Sequence, residues 1–306
     1  MPSSDIEDLW LQDTIYLGDL IIAAEFIKGL QGATLDNPSL GMSDEALQHL
    51  WNPPYEQSPR VVDKVTWLAI DLYVGTPSEA TYVTVHKAIL CFLPDLELLS
   101  YYKIKHLVAD LTGIESVMLH MCVNFCIAYT GPFLDIKACP VCSEPQYDQF
   151  YLQSGPGGEK IPCQEFHTIP IGLQLQALYQ SPESTSHAYY LCNKSYHIHA
   201  ELDHAGSLDQ YSDILHGMDL IRAFEDGCID ENDIVLMFSI DGAQLYAKKP
   251  SACWIYIWVL LNLSPIERYK KDQMFIGGFI PGPNNPKTIN SFLFPGLQHL
   301  VALQKE

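Results

Sequence analysis

Three apolar runs and a helical run, in that order, most constrain what residues 233–306 can form. The runs are IVLMFSIDGAQLY (234–246), ACWIYIWVLLNL (252–263) and QMFIGGFIPGP (273–283). Their Ile, Val, Trp, Tyr and Phe content and turn-forming borders predict strands. The near-continuous run Ile234–Ile240 reads as a strand buried on both faces. A helix follows, with Thr288 as N-cap and Ile289, Phe292, Leu293, Leu297, Leu300 and Val301 on its buried face. Ala252–Leu263 is the longest apolar stretch, well short of the ~20 residues a membrane helix needs. The opening MPSSDIEDLW has no basic start and apolar core of a signal peptide. The expectation is a chain that is not secreted, has no membrane segment, and resides in nucleus or cytoplasm.

Upstream the period is helical. Ile21, Ile22, Phe26 and Leu30 recur at helical spacing, as do Tyr82, His86, Ile89 and Leu90 behind the cap signal Ser78-Glu79. Leu98–Leu111 and residues 171–190 predict further helices, and 193–232 reads as polar and weakly periodic, with a helical piece around 213–225. The Gly-rich stretch 154–158 lacks the Lys-Ser/Thr ending of a phosphate loop, so it predicts a linker and no nucleotide cofactor. The predicted organisation is α+β in four segments: a helical region 1–114, a zinc-ribbon-like β module 115–165, a helical and acidic connection 166–232, and the β-β-β-α unit 233–306.

Nine cysteines without a secretory signal favour a reducing compartment, where grouped cysteines more often hold metal than form disulfides. Cys122-x3-Cys126 is followed, after twelve residues, by Cys139-Pro-Val-Cys142. Two such pairs can present four thiolates to a structural zinc ion, with no position left open for substrate. The alternative is four partly buried free thiols, and His120 is a possible substitute ligand. His197, His199, Asp203 and His204 look metal-like but fall in what reads as a polar loop.

Asp241-Gly242 closes the first apolar run. Local spacing reads as a tight turn. The succession of strands afterwards offers another reading, in which Asp241 is a metal ligand for phosphoryl transfer. That chemistry uses clustered carboxylates around two Mg²⁺ ions ~3.5–4 Å apart, so one acid should bind Mg²⁺ weakly. A further arrangement would join Asp230 and Asp233 to Asp241 for metal-dependent hydrolysis. Lys248, Lys249, Arg268, Lys270 and Lys271 form the one basic, aromatic-containing patch, which a hairpin would gather at one edge. It suits either nucleic-acid phosphate or the protection of sheet edges. The chain as a whole carries 17 basic and 37 acidic residues, net −20, which opposes strong duplex binding.

The segments MCVNFCIAYTGPFLDIKACPVCSEPQYD (121–148), FHTIPIGLQLQALYQSPES (166–184) and 233–306, with its SIDG and IPGP-N-x-PK stretches, together resemble the transposase of CACTA-type (En/Spm-like) DNA transposons, in its fungal branch. The likeness covers roughly residues 15–306. It implies an RNase H-like domain with an Asp-Asp-Glu triad acting on transposon ends in the nucleus, with Mg²⁺ in an intact family member. It also implies DNA or an intact transposase as partner. Asp241 matches the first catalytic Asp, and Cys122, Cys126, Cys139 and Cys142 match the family's cysteine motif. The second Asp and the Glu find no counterpart in this sequence. Gln146, Cys163 and the stretch Tyr189–Leu191 stand where basic residues are common, and Thr288 and Asn290 where acids are. The expectation is a truncated transposase-like chain, without strand transfer, whose open sheet edge invites pairing with another chain.

Overall fold

A computed structural model describes residues 18–53, 63–154, 159–244 and 252–305. The fold is α+β, with eleven α-helices and five strands among the described residues. In chain order these are α1 (Gly18–Gln31), α2 (Asp44–Trp51), α3 (Lys64–Gly75), α4 (Glu79–Phe92), α5 (Tyr101–Thr112), β1 (Val117–His120), α6 (Gln149–Gln153), β2 (Glu165–Thr168) and α7 (Ile171–Tyr179). There follow α8 (Pro182–Ala188), α9 (Tyr190–Ala205), α10 (Met218–Glu225), β3 (Leu236–Gln244), β4 (Ala252–Leu260), β5 (Met274–Pro281) and α11 (Ile289–Lys305). No described helix is long and apolar enough to cross a membrane.

Contacts divide the chain into two compact units, and neither follows the four successive segments read from sequence. One comprises Ser43–Glu115 and Leu173–Ser181; the other comprises the chain up to Met42, Ser116–Gly172 and the chain from Pro182. The Ser43–Glu115 unit is helical, as its periodicity predicts. Ser78 caps α4 by accepting from the Thr81 amide, and its buried face supplies Tyr82, whose hydroxyl donates to the Leu99 carbonyl at 2.7 Å. Tyr82, Ala69, Leu98 and Ile104 form the centre of that core.

The other unit is built on one antiparallel sheet of order β1-β2-β5-β4-β3. The C-terminal meander does not stand alone: β2, from the FHTIP segment, pairs with β5 (His167 opposite Phe279), and β1 with β2. Alternation sends Trp254, Tyr256, Ile280 and Phe166 to one face. There Phe292 of α11 packs with Ile280, Phe166 and Met121. Tyr256 is fully buried and donates to Thr168 Oγ1 at 3.3 Å. Gly278 is required beneath it, since a Cβ there would lie 2.5 Å from the His167 carbonyl and 2.6 Å from the Tyr256 ring.

Helix α11 differs from the single apolar face expected of it. Leu293, Leu297, Leu300 and Val301 are half-buried, while Phe294, Gln298 and His299 on other faces are buried as well. His299 Nε2 accepts the Gly172 amide at 3.1 Å, and burial lowers its imidazole to about 4. The folded chain therefore refuses a proton that the unfolded chain accepts below its ordinary value near 6.5. Stability contributed by neutral His299 is present above that value and is lost as pH falls towards 4. By pH 5 the loss amounts to about 2 kcal/mol. Urea titrations at pH 7.5 and 5 should show a smaller pH effect in His299→Gln, by about that amount.

Four sequence expectations are corrected here. Asp241-Gly242 is no turn: β3 runs through it, Asp241 facing Ile255 and Gly242 facing Trp254 on β4. Nor is β3 buried on both faces; it is an edge strand with Phe238, Ser239 and Asp241 exposed. Residues 193–205 are helix, because Leu191, Ser195, Ile198 and Leu202 form a stripe that packs on Leu208, Leu215 and Ile221. The predicted helix 171–190 is interrupted between Tyr179 and Pro182. The Gly cluster 155–158 lies outside the described residues.

Candidate metal centre

Each cysteine pair sits at the bend of a tight loop closed by backbone hydrogen bonds. The Cys122 amide donates to the Ile127 carbonyl at 2.9 Å, and the Cys139 amide to the Glu144 carbonyl at 2.8 Å. Among the described residues two non-glycine residues adopt left-handed backbone conformations, Phe125 (φ 61°) and Ser143 (φ 64°), one immediately before Cys126 and one immediately after Cys142. Such bends are strained for side-chain-bearing residues. Here each turns the chain so that both sulfurs of a pair face the same point.

The four Sγ atoms all lie within 4.8 Å of one another, with Cys122 and Cys142 at 3.4 Å. A disulfide requires ~2.05 Å, and the cysteines are free. A tetrahedron with Zn–S bonds of ~2.3 Å has sulfur–sulfur edges of about 3.8 Å, so small adjustments fit the four donors around one ion. Cys122, Cys126 and Cys139 are buried and Cys142 is partly open. The Asn124 amide points at Cys122 Sγ (3.4 Å) and its side-chain nitrogen at Cys142 Sγ (3.6 Å). These donors hold the sulfurs in orientation and support negative charge on them.

Burial pushes the Cys122 thiol up to about 12 and raises Cys126 as well. Burial also raises Cys142, but donors from the Glu144 backbone, Asn124 and neighbouring thiols outweigh it and bring this group to about 7. A cation entering the cluster must displace protons from thiols that hold them firmly, so affinity should rise with pH. His120 is not a ligand: its Nδ1 meets Gln146 Nε2 at 3.1 Å, and the sulfur cluster is complete without it.

The cluster is part of a core and not an appendage. Phe26 from α1, Ile127, Tyr129, Phe133 and Phe294 from α11 surround it. The loop carrying Cys126 also seats the start of α11. The Lys287 amide donates to the Phe125 carbonyl and the Thr288 amide to the Cys126 carbonyl, at 3.2 and 2.9 Å, while Ser291 Oγ accepts from the Ala128 amide at 2.9 Å.

The other predicted site residues are not brought together. Asp241 is exposed, with Oδ1 accepting the Gly242 amide at 2.7 Å. Among the described residues, the cysteine quartet is the one group of three or more candidate ligands within reach of a shared ion, and it excludes Asp241. Asp230 and Asp233 are used locally, accepting from the Glu231 and Asp230 amides in the turn before β3. His197, His199, Asp203 and His204 lie along α9 and form no such group.

The basic patch is corrected most sharply. Arg268 has no exposure: its guanidinium makes a bidentate pair with Asp213 at 2.9 and 3.1 Å. It also donates to the carbonyls of Leu263 (2.8 Å) and Leu261 (3.3 Å) and lies over the Tyr190 ring. It is a structural clamp, missed because nothing beside it in sequence announces Asp213. Lys270 and Lys271 are exposed, but Glu267 stands 3.9 Å from Lys270 and Asp272 follows Lys271. Lys248 and Lys249 lie outside the described residues.

Neither a scan against protein-family models nor searches of curated proteins and of solved structures returned a match.

Proposed function

We propose that this chain is a zinc-stapled, transposase-like module in which β3–β4–β5–α11 is the opening β-β-β-α of an RNase H-like core. The observation that carries the zinc assignment is the convergence of four sulfurs within 4.8 Å in a mostly buried setting. Four thiolates favour zinc over hard cations, and with every position filled the ion would organise structure without meeting substrate. What supports the RNase H-like reading is the antiparallel β3–β4–β5 meander, the helix laid on one of its faces, and an acid midway along the first strand.

On this reading the chain has no nuclease or strand-transfer chemistry of its own. Among the described residues Asp241 belongs to no group of three or more candidate ligands, where metal-dependent phosphoryl transfer would need several carboxylates, and one acid cannot confine two Mg²⁺ ions. Incubation of the purified chain with Mg²⁺ or Mn²⁺ and end-labelled duplex should give no cleavage above buffer. Cleavage that Asp241→Asn abolishes would overturn this part of the proposal.

A further inference from the structure

We propose that the free edge of β3 receives an extended, lysine- or arginine-bearing segment of another protein, which adds to the sheet as a sixth strand. This does not depend on the transposase-like reading.

The observation begins with sheet order. Among the described residues strand β3 is terminal, and all nine of its residues pair with β4 without a register shift. In an antiparallel pair alternate residues direct their N–H and C=O groups away from the partner, so Leu236–Ala243 offers a regular row of donors and acceptors. Proteins usually guard such edges with Lys, Pro, bulges or brevity. The opposite edge, β1, is four residues long. By contrast, residues 234–244 contain neither Lys nor Pro, and β3 shows no bulge against β4. Exposed Phe238 and, just before the strand, exposed Ile234 supply apolar surface beside that row.

Charge selects the occupant. Between 226 and 244 the sequence has Asp226, Asp230, Glu231, Asp233 and Asp241 and no Lys or Arg. All five acids are exposed, and three of them cluster just ahead of β3. A strand alternating apolar and basic residues would satisfy the backbone row, cover Phe238 and Ile234, and place cations opposite these carboxylates. A second copy of this chain fits worse, because each copy carries a net charge of −20.

The test uses the full, zinc-loaded chain and a short acetylated peptide alternating Lys and Val. Controls are the Glu–Val peptide and a Lys–Val peptide with Pro at every other Val, which keeps the charge but cannot form a ladder. The Lys–Val peptide should slow hydrogen exchange at β3 amides by about tenfold, leave β1 unchanged, and bind more weakly as salt rises. Ser239→Lys, at an exposed strand position, should weaken binding about fivefold without altering the circular dichroism spectrum. Equal binding of the Pro-containing peptide would mean simple charge attraction and would overturn the proposal. So would absent protection at millimolar peptide, unchanged affinity in Ser239→Lys, or a concentration-dependent dimer that protects β3 without any peptide.

Discussion

Replacing Cys126 or Cys139 with Ser should abolish stoichiometric metal binding and unfold the unit that contains the sheet. Structural zinc sites contribute on the order of 10 kcal/mol, comparable to the whole stability of an ordinary domain, about 5–15 kcal/mol. The effect should be large here because the sulfurs share a core with Phe26, Phe133 and Phe294. The wild-type chain should purify with one zinc per chain by atomic emission. Cobalt substitution should give the intense visible bands of a tetrahedral four-thiolate site. A strong chelator should lower the thermal midpoint and remove near-ultraviolet dichroism, and added zinc should restore both. A metal-free wild-type chain of undiminished stability would reject the assignment.

Truncating Arg268 to Ala should cost roughly 3–5 kcal/mol, the usual range when one member of a buried ion pair is removed. Three consequences combine. Asp213 is left charged and nearly buried, the Leu261 and Leu263 carbonyls lose their donor, and the Tyr190 ring loses the cation above it. Asp213 also caps the turn at Ile214 and accepts from Tyr190 Oη, so the damage should spread to the α9–α10 core. Urea denaturation would measure the loss directly. Arg268→Lys should recover only part of it, since an ammonium cannot reproduce the two-pronged contact. Were Arg268→Ala to retain full stability and instead lose affinity for DNA, the clamp assignment would be wrong and the nucleic-acid role restored.

The parts of the fold that were legible in sequence are those decided by neighbours along the chain. The cysteine pairs announce themselves because only two or three residues separate their members, and α4 because Ser78 caps it within one turn. What was not legible depends on distant partners. Arg268 stands in a run of lysines and looks solvated, yet its burial is set by an aspartate 55 residues earlier. The local signal of Asp241-Gly242 favours a turn, but uninterrupted pairing with β4 outweighs it. In α9 the polar composition hides an apolar stripe whose complement, Leu215 and Ile221, lies further along the chain. Strand β2 pairs with β5, which follows more than a hundred residues later, and no local pattern could specify that pairing.

The seating of α11 on the cysteine loop bears on how this protein can be cut up for study. A fragment starting at residue 233 would retain β3, β4 and β5 yet forfeit the carbonyls of Phe125 and Cys126 that receive the amides of Lys287 and Thr288, just ahead of the last helix. It would also leave Trp254 and Ile280 without Phe166 and Met121 to cover them. The C-terminal seventy residues read like a self-sufficient piece, but expressed alone they should behave as an aggregating peptide, and any dissection of this chain has to carry the metal loop with them.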